Sequence, residues 1–299
     1  MNHNDFLDAY LNDRRKIVEE ALERYLPDKD SVPQELHSAM HYSVFAGGKR
    51  IRPILCLAAI EACNGDMAPA MPVACALELI HTYSLIHDDL PAMDNDDFRR
   101  GKPTSHKAFG EAVAILAGDA LLTEAFVLLS RAEKVRLAAE RRLAVIQEIA
   151  HAAGIAGMVG GQALDIRAEK IAPDFEGLTD IHRRKTGALV VAAVRSGAIL
   201  AGASDNRIQA LSVYGSHIGI AFQIADDILN VEGDSELMGK KTGSDAALNK
   251  VTYPSLLGLD TAKAKLKEHI EAAAAAIAAF DSRALPLRVI ARYIMERKS

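Results

Sequence analysis

Apolar segments with helical spacing, most of them bounded by proline or glycine, follow one another along nearly the whole chain. Alanine is abundant, tryptophan is absent, and aromatic residues make up only 5% of the sequence. Alanine and leucine favour helices, whereas strands are usually rich in aromatic and β-branched residues. No alternating strand pattern and no fixed repeat is present in the sequence. The segments that we predict to be helical are 69–87, 108–130, 134–170, 176–202, 205–230, 260–280 and 286–296.

No linker rich in proline, glycine and serine divides these segments. Hydrophobic residues make up 49% of the chain, which is enough to bury a large core. The sequence therefore predicts an all-α protein, a single large helical bundle that spans residues 1–299 as one domain. The longest irregular stretch is 231–246, and the sequence leaves open whether it is a lid over a binding site or a surface connection.

Charge and cysteine content argue against several classes of protein. With 35 basic and 40 acidic side chains the net charge is −5, whereas nucleic-acid-binding proteins usually carry a basic excess. Cys56, Cys63 and Cys75 lack disulfide or zinc spacing, so we expect reduced, buried thiols. No signal peptide is apparent, and the longest apolar run, 272–280, is too short to span a membrane. We therefore expect a cytoplasmic protein.

The segment HTYSLIHDDLPAMDNDDFRRGKP concentrates carboxylates. Asp88, Asp89 and Asp94 form a DDxxxxD pattern, and Pro91 stops a helix from continuing past the first two. We expect a helix to end at this pair and the chain to turn back so that Asp94 joins it. Clustered carboxylates repel one another in a cleft, and Mg²⁺ suits such hard oxygen ligands while sharing its other positions with substrate phosphates. Taken alone, such a run is more often a solvated surface.

A second acidic pair, Asp226-Asp227, lies inside the otherwise apolar stretch GIAFQIADDILN. Charged residues are seldom buried on an apolar helix face without a partner or a metal. Two Asp-Asp pairs, each closing an apolar helix, can face each other across a bundle and hold a metal–diphosphate cluster. The two pairs together therefore favour a binding site over a solvated surface.

The segment GGKRIRP supplies cations that such a site needs. Two glycines end one helix and Pro53 starts the next, and the spacing puts Lys49 and Arg52 on one side while Arg50 points away. Free amides at a helix start together with two cations can bind a diphosphate. Each further cation would by itself be a surface charge, but with two acidic pairs they favour an anion site. These cations are Arg99, Arg100, Lys185 and Lys240.

Seven segments together resemble the trans-isoprenyl diphosphate synthase family, most closely its bacterial farnesyl diphosphate-forming members. They are GGKRIRP, HDDLPAMDNDDFRRGKPTSH, GDALL, GGQALDI, KTGAL, FQIADDILN and GKKTGSDAALNKVTYP. The resemblance implies an isoprenoid synthase-type helical bundle with a central active-site cavity. It also implies a homodimer that joins isopentenyl diphosphate to dimethylallyl or geranyl diphosphate. Three Mg²⁺ ions per site are implied, with Mn²⁺ able to substitute.

The resemblance also assigns roles to individual positions of this chain. The implied Mg²⁺ ligands, which hold the allylic diphosphate, are Asp88, Asp94, Asp226 and Asp227. The residues implied to contact that diphosphate or to lie near it are Arg99, Lys185, Gln223 and Lys240. Those implied to bind isopentenyl diphosphate are Lys49, Arg52, His81 and Arg100. Thr186 would help to stabilise the allylic cation through its oxygen dipole.

One position departs from the family pattern. The second acidic motif of the family usually ends in aspartate, and this chain has Asn230 there, one helical turn after Asp226. Asparagine offers a neutral oxygen but no charge. We therefore leave Asn230 out of the ligand set.

Product length is predicted from the helix that approaches Asp88. Tyr83 lies five residues earlier, about 7.5 Å deeper by helical rise, and its ring would act as a floor for the growing chain. The resemblance implies the same, and Ser84 is small enough to leave the channel open. Growth would pass through ten carbons and stop mainly at fifteen, as (2E,6E)-farnesyl diphosphate. The alternative is a twenty-carbon geranylgeranyl product, with Tyr83 a packed core aromatic.

Three other classes of protein compete with this hypothesis. Glu78 with His81 and Glu148 with His151 form the E-x-x-H pairs of carboxylate-bridged di-iron bundles, but that class gives the aspartate pairs no role. A terpene cyclase shares the bundle and the acidic motif, yet it needs no second diphosphate site such as GGKRIRP. A non-catalytic regulatory subunit should lack some of the charged residues that are present here.

Overall fold

The computed structural model describes residues 3–131, 138–232 and 250–296. Regular structure in those ranges is helical except for one hairpin of two short strands, β1 (Phe98–Arg99) and β2 (Lys102–Pro103). A π-helical turn, Arg183–Gly187, joins α9 to α10. The helices are α1 (His3–Tyr25), α2 (Gln34–Val44), α3 (Ile51–Ala62), α4 (Ala70–Asp88), α5 (Ser105–Phe109), α6 (Glu111–Ser130), α7 (Ala139–Ala153), α8 (Met158–Ala168), α9 (Phe175–His182), α10 (Ala188–Ala201), α11 (Asp205–Glu232), α12 (Tyr253–Leu257), α13 (Leu259–Ala276) and α14 (Leu285–Glu296). The predicted all-α fold is confirmed.

α3 lies at the centre of the bundle. Its residues from Pro53 to Ile60 are all buried, as expected for a helix that is apolar all round. α3 packs against α4 and α10, and α10 packs in turn against α7 and α11. Gly197 permits the close contact of α10 with α3, because a Cβ there would lie 2.4 Å from the carbonyl oxygen of Cys56.

Two predicted helices are interrupted by glycine. The segment 134–170 forms two helices, α7 and α8, because the chain leaves the helical conformation at Gly154, where ψ is −153°. The segment 108–130 is divided at Gly110, which adopts a positive φ of 83° between α5 and α6. An isolated glycine is often tolerated inside a helix, so the sequence pattern alone could not identify these breaks.

Three further features differ from the prediction or extend it. The segment 176–202 is helical as predicted, but it includes the π turn. α11 continues to Glu232, and the rest of the irregular stretch 231–246 lies outside the described residues. The hairpin of β1 and β2 was not predicted from the sequence.

The three cysteines are free and buried, as predicted. Burial raises the pKa of the Cys56 thiol to about 12 and raises that of Cys75 as well. These thiols are therefore protonated packing residues at neutral pH.

Two helical stretches, Glu111–Ser130 and Ala139–Ala168, are long and apolar enough to cross a membrane by length and composition alone. The sequence prediction of no membrane span relied on uninterrupted apolar runs and overlooked them. A helix packed inside a bundle meets the same criterion, so the finding is weak evidence for a span. Only 39% and 28% of the two apolar windows are buried, so much of their apolar surface faces outward.

A buried ion pair fixes the segment between α2 and α3. Arg50 adopts a positive φ of 53°, and its guanidinium Nη1 donates to Glu78 Oε1 of α4 at 2.6 Å. Nη2 donates to the carbonyl oxygen of Val44 at 2.7 Å. Arg50 and Glu78 are only 3% and 2% exposed. This side chain therefore ties the end of α2 and the start of α3 to α4.

We predict that Glu78→Ala destabilises the protein by about 3–5 kcal/mol, because it removes the nearer and more deeply buried of the two carboxylates of Arg50 and leaves only Glu19, 3.5 Å from Nε. Urea unfolding followed by circular dichroism measures the change. Glu268→Ala is the matched control, since Glu268 pairs with Lys265 at 2.7 Å on the surface, where ion pairs contribute little. Equal unfolding midpoints for the two variants would contradict the role of the Arg50–Glu78 pair.

Candidate active site

A cavity of about 890 Å³ lies between α4, α8, the π turn and α11, with the start of α3 also in its wall. The predicted site residues in this wall are Lys49, Arg52, His81, Tyr83, Asp88, Arg100, Lys185, Thr186, Gln223 and Asp226. Asp94, Arg99 and Asp227 are not in this wall, and their positions are described below. Lys240 lies outside the described residues.

The first acidic motif has the predicted backbone course. α4 ends at Asp88, and the chain folds back so that the Asp94 amide donates to the Asp88 carbonyl oxygen at 2.9 Å. Burial raises the pKa of the Asp88 carboxyl to about 6, with Asp94 and Asp89 adding to the rise and Lys185 and Arg99 opposing it. Lys185 and Arg99 compensate such a carboxylate only in part, and a hard divalent cation would supply the remaining positive charge.

The neighbouring Asp89 holds Arg99. The Arg99 Nε lies 2.8 and 2.9 Å from the two Asp89 carboxylate oxygens, and Nη2 donates to Oδ1 at 2.6 Å. Arg99 Nη2 also lies 3.7 Å from Asp96 Oδ2. Arg99 is therefore fixed beside the acidic motif, and its contact with an allylic diphosphate stays a prediction.

The second acidic pair divides between two cavities. Asp226 lines the main cavity, whereas the buried Asp227 lines a smaller one of about 160 Å³ next to it. Asp227 Oδ2 accepts a hydrogen bond from the Tyr253 amide at 2.9 Å, which anchors the start of α12. The two aspartates thus differ in position, a difference that the Asp-Asp pattern did not indicate.

The GGKRIRP segment and the hairpin bring cations to the main cavity. Gly47 and Gly48 adopt positive φ values of 99° and 126°. The Arg100 guanidinium packs on Gly48, where a Cβ would lie 2.6 Å from Nη1, and it donates to the Gly47 carbonyl oxygen. Burial lowers the pKa of both Arg52 and Arg100, and Glu78 opposes both shifts. Arg100 lowers the pKa of Arg52 further, while Arg50 and Arg99 lower that of Arg100. Such a cluster attracts an anion.

His81 is neutral in this environment. Burial lowers the pKa of its imidazole well below the usual value, and the positive charges of Arg52, Arg100 and two neighbouring arginines lower it further. A neutral ring in the cavity wall can donate one hydrogen bond without adding charge.

The π turn presents Lys185 and Thr186 to the cavity. Lys185 Nζ donates to Asp165 Oδ2 at 2.6 Å, and Thr186 Oγ1 donates to Gln223 Oε1 at 2.9 Å. Burial alone would lower the pKa of Lys185, but Asp165 and the aspartates of the first motif raise it overall. π turns inside helices often occur at functional sites.

Two glycines, one on α8 and one on α11, pack closely against the backbone of this turn. A Cβ at Gly161 of α8 would lie 2.3 Å from the Lys185 amide nitrogen, and one at Gly219 of α11 would lie 2.6 Å from the Gly187 Cα. Both neighbouring atoms belong to the backbone, which cannot move aside as a side chain can. The π turn can therefore occupy this position only because residues 161 and 219 are glycines.

Sequence reasoning missed three residues of the site. Asp165 holds Lys185, and Lys250 Nζ lies 3.8 Å from Asp94 Oδ1 while lining the smaller cavity. Gln162 lines the main cavity with both amide atoms buried and without a hydrogen-bond partner among the described residues. All three lie in segments that carry the family resemblance, which was the available signal. Nothing local distinguishes them from the other polar residues of those segments.

The donor set fits Mg²⁺ held jointly with a diphosphate. Among the described residues, no group of three or more histidine, cysteine, aspartate or glutamate side chains could hold a metal alone. Mg²⁺ is usually bound by one or two carboxylates together with substrate phosphates and water. Asp88 and Asp226 in one cavity wall match that requirement.

The di-iron alternative is contradicted by the same geometry. Glu78 pairs with Arg50, while Glu148 pairs with Arg195 Nη2 at 2.6 Å. Glu78 and His81 line the main cavity, whereas Glu148 and His151 line a separate one. The two E-x-x-H pairs therefore do not share a site.

Carboxylates, buried cations and an apolar cavity inside one helical bundle define the isoprenoid synthase class. The model of the polyprenyl synthetase family matches residues 33–283. The chain belongs to this family, which confirms the resemblance seen in the sequence.

The relatives of this chain include enzymes that are named for different products. The chain is 52% identical over 267 residues to the farnesyl diphosphate synthase of Geobacillus stearothermophilus, covering 89% of this chain and 90% of that one. It is 47% identical over 292 residues to the geranylgeranyl diphosphate synthase of Cyanophora paradoxa, covering 97% and 96%. Both relatives match over most of the chain, so their names alone do not choose between the two products.

Solved structures of related enzymes have the same fold. An FPP/GFPP synthase from Zymomonas mobilis superposes with a TM-score of 0.85 at 40% identity, covering 98% of this chain and 99% of that one. A geranylgeranyl pyrophosphate synthetase from Pyrococcus horikoshii superposes with a TM-score of 0.91 at 32% identity, covering 98% and 99%. The architecture is therefore common to family members that bear different product names.

We predict that His182, in the wall of the smaller cavity, makes the fold acid-sensitive. Burial lowers the pKa of its imidazole to about 4, so the unfolded chain takes up a proton at a higher pH than the folded one. Stability should be full above pH 6.5 and should fall by about 3 kcal/mol as the pH drops to about 4. His182→Phe, which keeps the ring stacked on Tyr253, should remove this share of the pH dependence.

Urea unfolding at a series of pH values measures the effect. His151→Phe is the matched control, because His151 is exposed and should leave the pH profile unchanged. A His182→Phe profile parallel to the wild-type profile would contradict the prediction.

Proposed function

We propose that this chain is a prenyltransferase that condenses isopentenyl diphosphate with dimethylallyl and then geranyl diphosphate, releasing mainly (2E,6E)-farnesyl diphosphate. The observation that carries the proposal is a single cavity with Asp88, Asp226 and the GGKRIRP cations in its wall and the Tyr83 ring deeper along α4. The relative from Geobacillus stearothermophilus, named a farnesyl diphosphate synthase, supports the fifteen-carbon product. The relative named a geranylgeranyl diphosphate synthase keeps a twenty-carbon product as the alternative.

The allylic diphosphate leaves only when its developing negative charge is neutralised. Three Mg²⁺ ions, or Mn²⁺ in their place, would supply most of that neutralisation. The residues proposed to hold them are Asp88, Asp94, Asp226 and Asp227. Arg99, Lys185 and Lys240 would contact the same diphosphate, and Lys185 is well suited because its pKa is raised and it stays charged.

Isopentenyl diphosphate would bind at the cation cluster. Lys49, Arg52 and Arg100 provide positive charge. Arg52 is the most buried of the three, and its surroundings strengthen its attraction for an anion. The neutral His81 would donate a hydrogen bond to the diphosphate. The Arg50 guanidinium is already paired with Glu78, so it fixes the segment and does not serve as a ligand.

The new carbon–carbon bond would form between the allylic substrate and isopentenyl diphosphate. Breaking the C1–oxygen bond of the allylic substrate leaves an allylic cation, which the double bond of isopentenyl diphosphate attacks at C1. Loss of a proton to the departing diphosphate restores the alkene. The Thr186 hydroxyl donates a hydrogen bond to Gln223 Oε1, so the lone pairs of its oxygen are available to face the cation. Met158, Val159 and Phe222 in the cavity wall exclude water that would quench it.

We further propose that two copies of the chain associate through α6 and α7. Large apolar side chains on and near these helices are exposed: Ile115, Leu116, Val127, Leu143 and Ile155. Exposed apolar surface of this extent usually marks an interface. A homodimer would cover it, and the two helical stretches that are apolar enough for a membrane would then be buried between protein subunits.

A single domain over residues 1–299 and a cytoplasmic location belong to the same proposal. α1 and α14, at opposite ends of the described residues, both pack against the central helix α3. Such contact between the two ends supports one domain. The substrates are charged diphosphates, which are soluble in the cytoplasm.

Metal dependence should rest on the first aspartate of each acidic motif. Asp88→Ala and Asp226→Ala should each lower kcat by at least about a hundredfold, because metal-held charge stabilisation supplies several kcal/mol. Asn230→Ala is the matched neighbour on α11 and should cost about two- to tenfold, the effect of one neutral hydrogen bond. Turnover at saturating Mg²⁺ measures each effect. Near-normal turnover in Asp226→Ala, or turnover that survives chelation of the metal, would contradict the proposed metal dependence.

Product length tests the farnesyl assignment. Tyr83→Ala should shift products from fifteen to twenty carbons or more, whereas Tyr83→Phe keeps the ring and should retain the wild-type distribution. The measurement uses labelled isopentenyl diphosphate with each allylic primer, followed by chromatography of the dephosphorylated products. A wild-type enzyme that already makes mostly twenty-carbon product, or an unchanged distribution in Tyr83→Ala, would rule out Tyr83 as the floor.

A further inference from the structure

His87 connects the main cavity to the neighbouring helix α6. Its ring is in the cavity wall, one residue before Asp88 and one helical turn after Tyr83. His87 Nε2 lies 3.1 Å from the carbonyl oxygen of Ile115, which can only accept, so Nε2 carries the proton and donates. The imidazole therefore bridges α4, which carries Tyr83, and α6.

Gly118 of α6 makes room for this ring. A Cβ at Gly118 would lie 2.2 Å from Nε2, 2.5 Å from Cδ2 and 3.0 Å from Cε1 of His87. These three atoms are the nearest to that point, so the space left by the missing side chain is filled by His87. Any larger residue at this position would displace the imidazole.

The same imidazole packs on Tyr83. The two ring centroids are 5.7 Å apart with an interplanar angle of 83°, which is the favourable edge-to-face arrangement. Side chains on a helix lean toward its N-terminus, so His87 leans onto the ring one turn below. Among the described residues the Tyr83 hydroxyl has no hydrogen-bond partner. The orientation of the Tyr83 ring therefore depends on packing, and His87 supplies an aromatic contact to it.

We propose that His87 is a positioning residue for product length: held against Gly118, it braces the Tyr83 ring and so fixes the depth at which the growing chain stops. This proposal rests on the proposed function, in which Tyr83 is the floor. A floor ring without its brace can turn aside, and a fraction of chains then gains one more five-carbon unit. His87 acts through Tyr83 and takes no part in bond formation.

A double-mutant cycle between positions 87 and 118 tests the brace. The readout is the ratio of twenty- to fifteen-carbon product formed from geranyl diphosphate and labelled isopentenyl diphosphate. His87→Ala should raise this ratio about two- to tenfold, the range that one aromatic pair controls. His87→Gln, which can keep a hydrogen bond to Ile115 but lacks the ring, should raise it similarly.

Gly118→Ala completes the cycle. In the wild-type background it should change the ratio, because the added methyl group displaces the His87 ring. In the His87→Ala background it should have no effect, because the atoms that the methyl group would meet are gone. Gly177→Ala on α9 is the matched control, since its Cβ would meet Pro173 and Asp174, neither of which lines the main cavity, and the ratio should stay at the wild-type value.

The outcomes distinguish failure of the His87 proposal from failure of the proposed function on which it rests. A ratio unmoved by His87→Ala, or a Gly118→Ala effect equal in both backgrounds, overturns the brace. If Tyr83→Ala lengthens the product while the 87/118 cycle is flat, only the brace fails. A wild-type enzyme that makes mainly twenty-carbon product overturns the floor and the brace together. Loss of folded protein lowers the yield but does not move the ratio, so a merely structural role of His87 would leave it unchanged.

Discussion

One buried arginine determines where the cationic end of the site lies. Arg50 reaches from the start of α3 to Glu78 on α4 and to the carbonyl oxygen of Val44 at the end of α2. Glu19 of α1 also lies 3.5 Å from Arg50 Nε, so four helices meet at one side chain. The segment between them cannot shift without separating a buried ion pair. Lys49 and Arg52 lie on either side of Arg50 along the chain and take their positions from it. These two cavity-lining cations are therefore placed by a neighbour whose charge is already paired.

The other pKa shifts in the site arise because the fold buries ionisable groups next to groups of the same charge. Burial raises the pKa of Asp88 at the end of α4, and it lowers the pKa of His81 on the same helix and of Arg52 at the start of α3. Each shift means that the charged form is disfavoured until an opposite charge arrives. In the proposed function, metal ions would relieve the carboxylates and a diphosphate would relieve the cations. The same fixed groups would then need no rearrangement when charge develops during the reaction.

Much of this arrangement could be predicted from the sequence, because local chemistry determined it. Pro91 and the aspartates end α4, and Asp94 returns to Asp88 as expected. The π turn, by contrast, depends on contacts with distant helices and has no local signal. Asp165 could not be recognised, since its partner Lys185 is 20 residues away and the pair forms only in the fold. The roles of the metal and substrate ligands stay predictions.

The glycines around the π turn have a consequence for how such enzymes can diversify. Any side chain at Gly161 or Gly219 would collide with backbone atoms of the turn that carries Lys185 and Thr186. Inherited changes at this end of the cavity are therefore strongly restricted. At the other end, Tyr83 and His87 are side chains that one substitution can replace while the backbone stays in place. Relatives can thus share one reaction centre and still be named for products of different length.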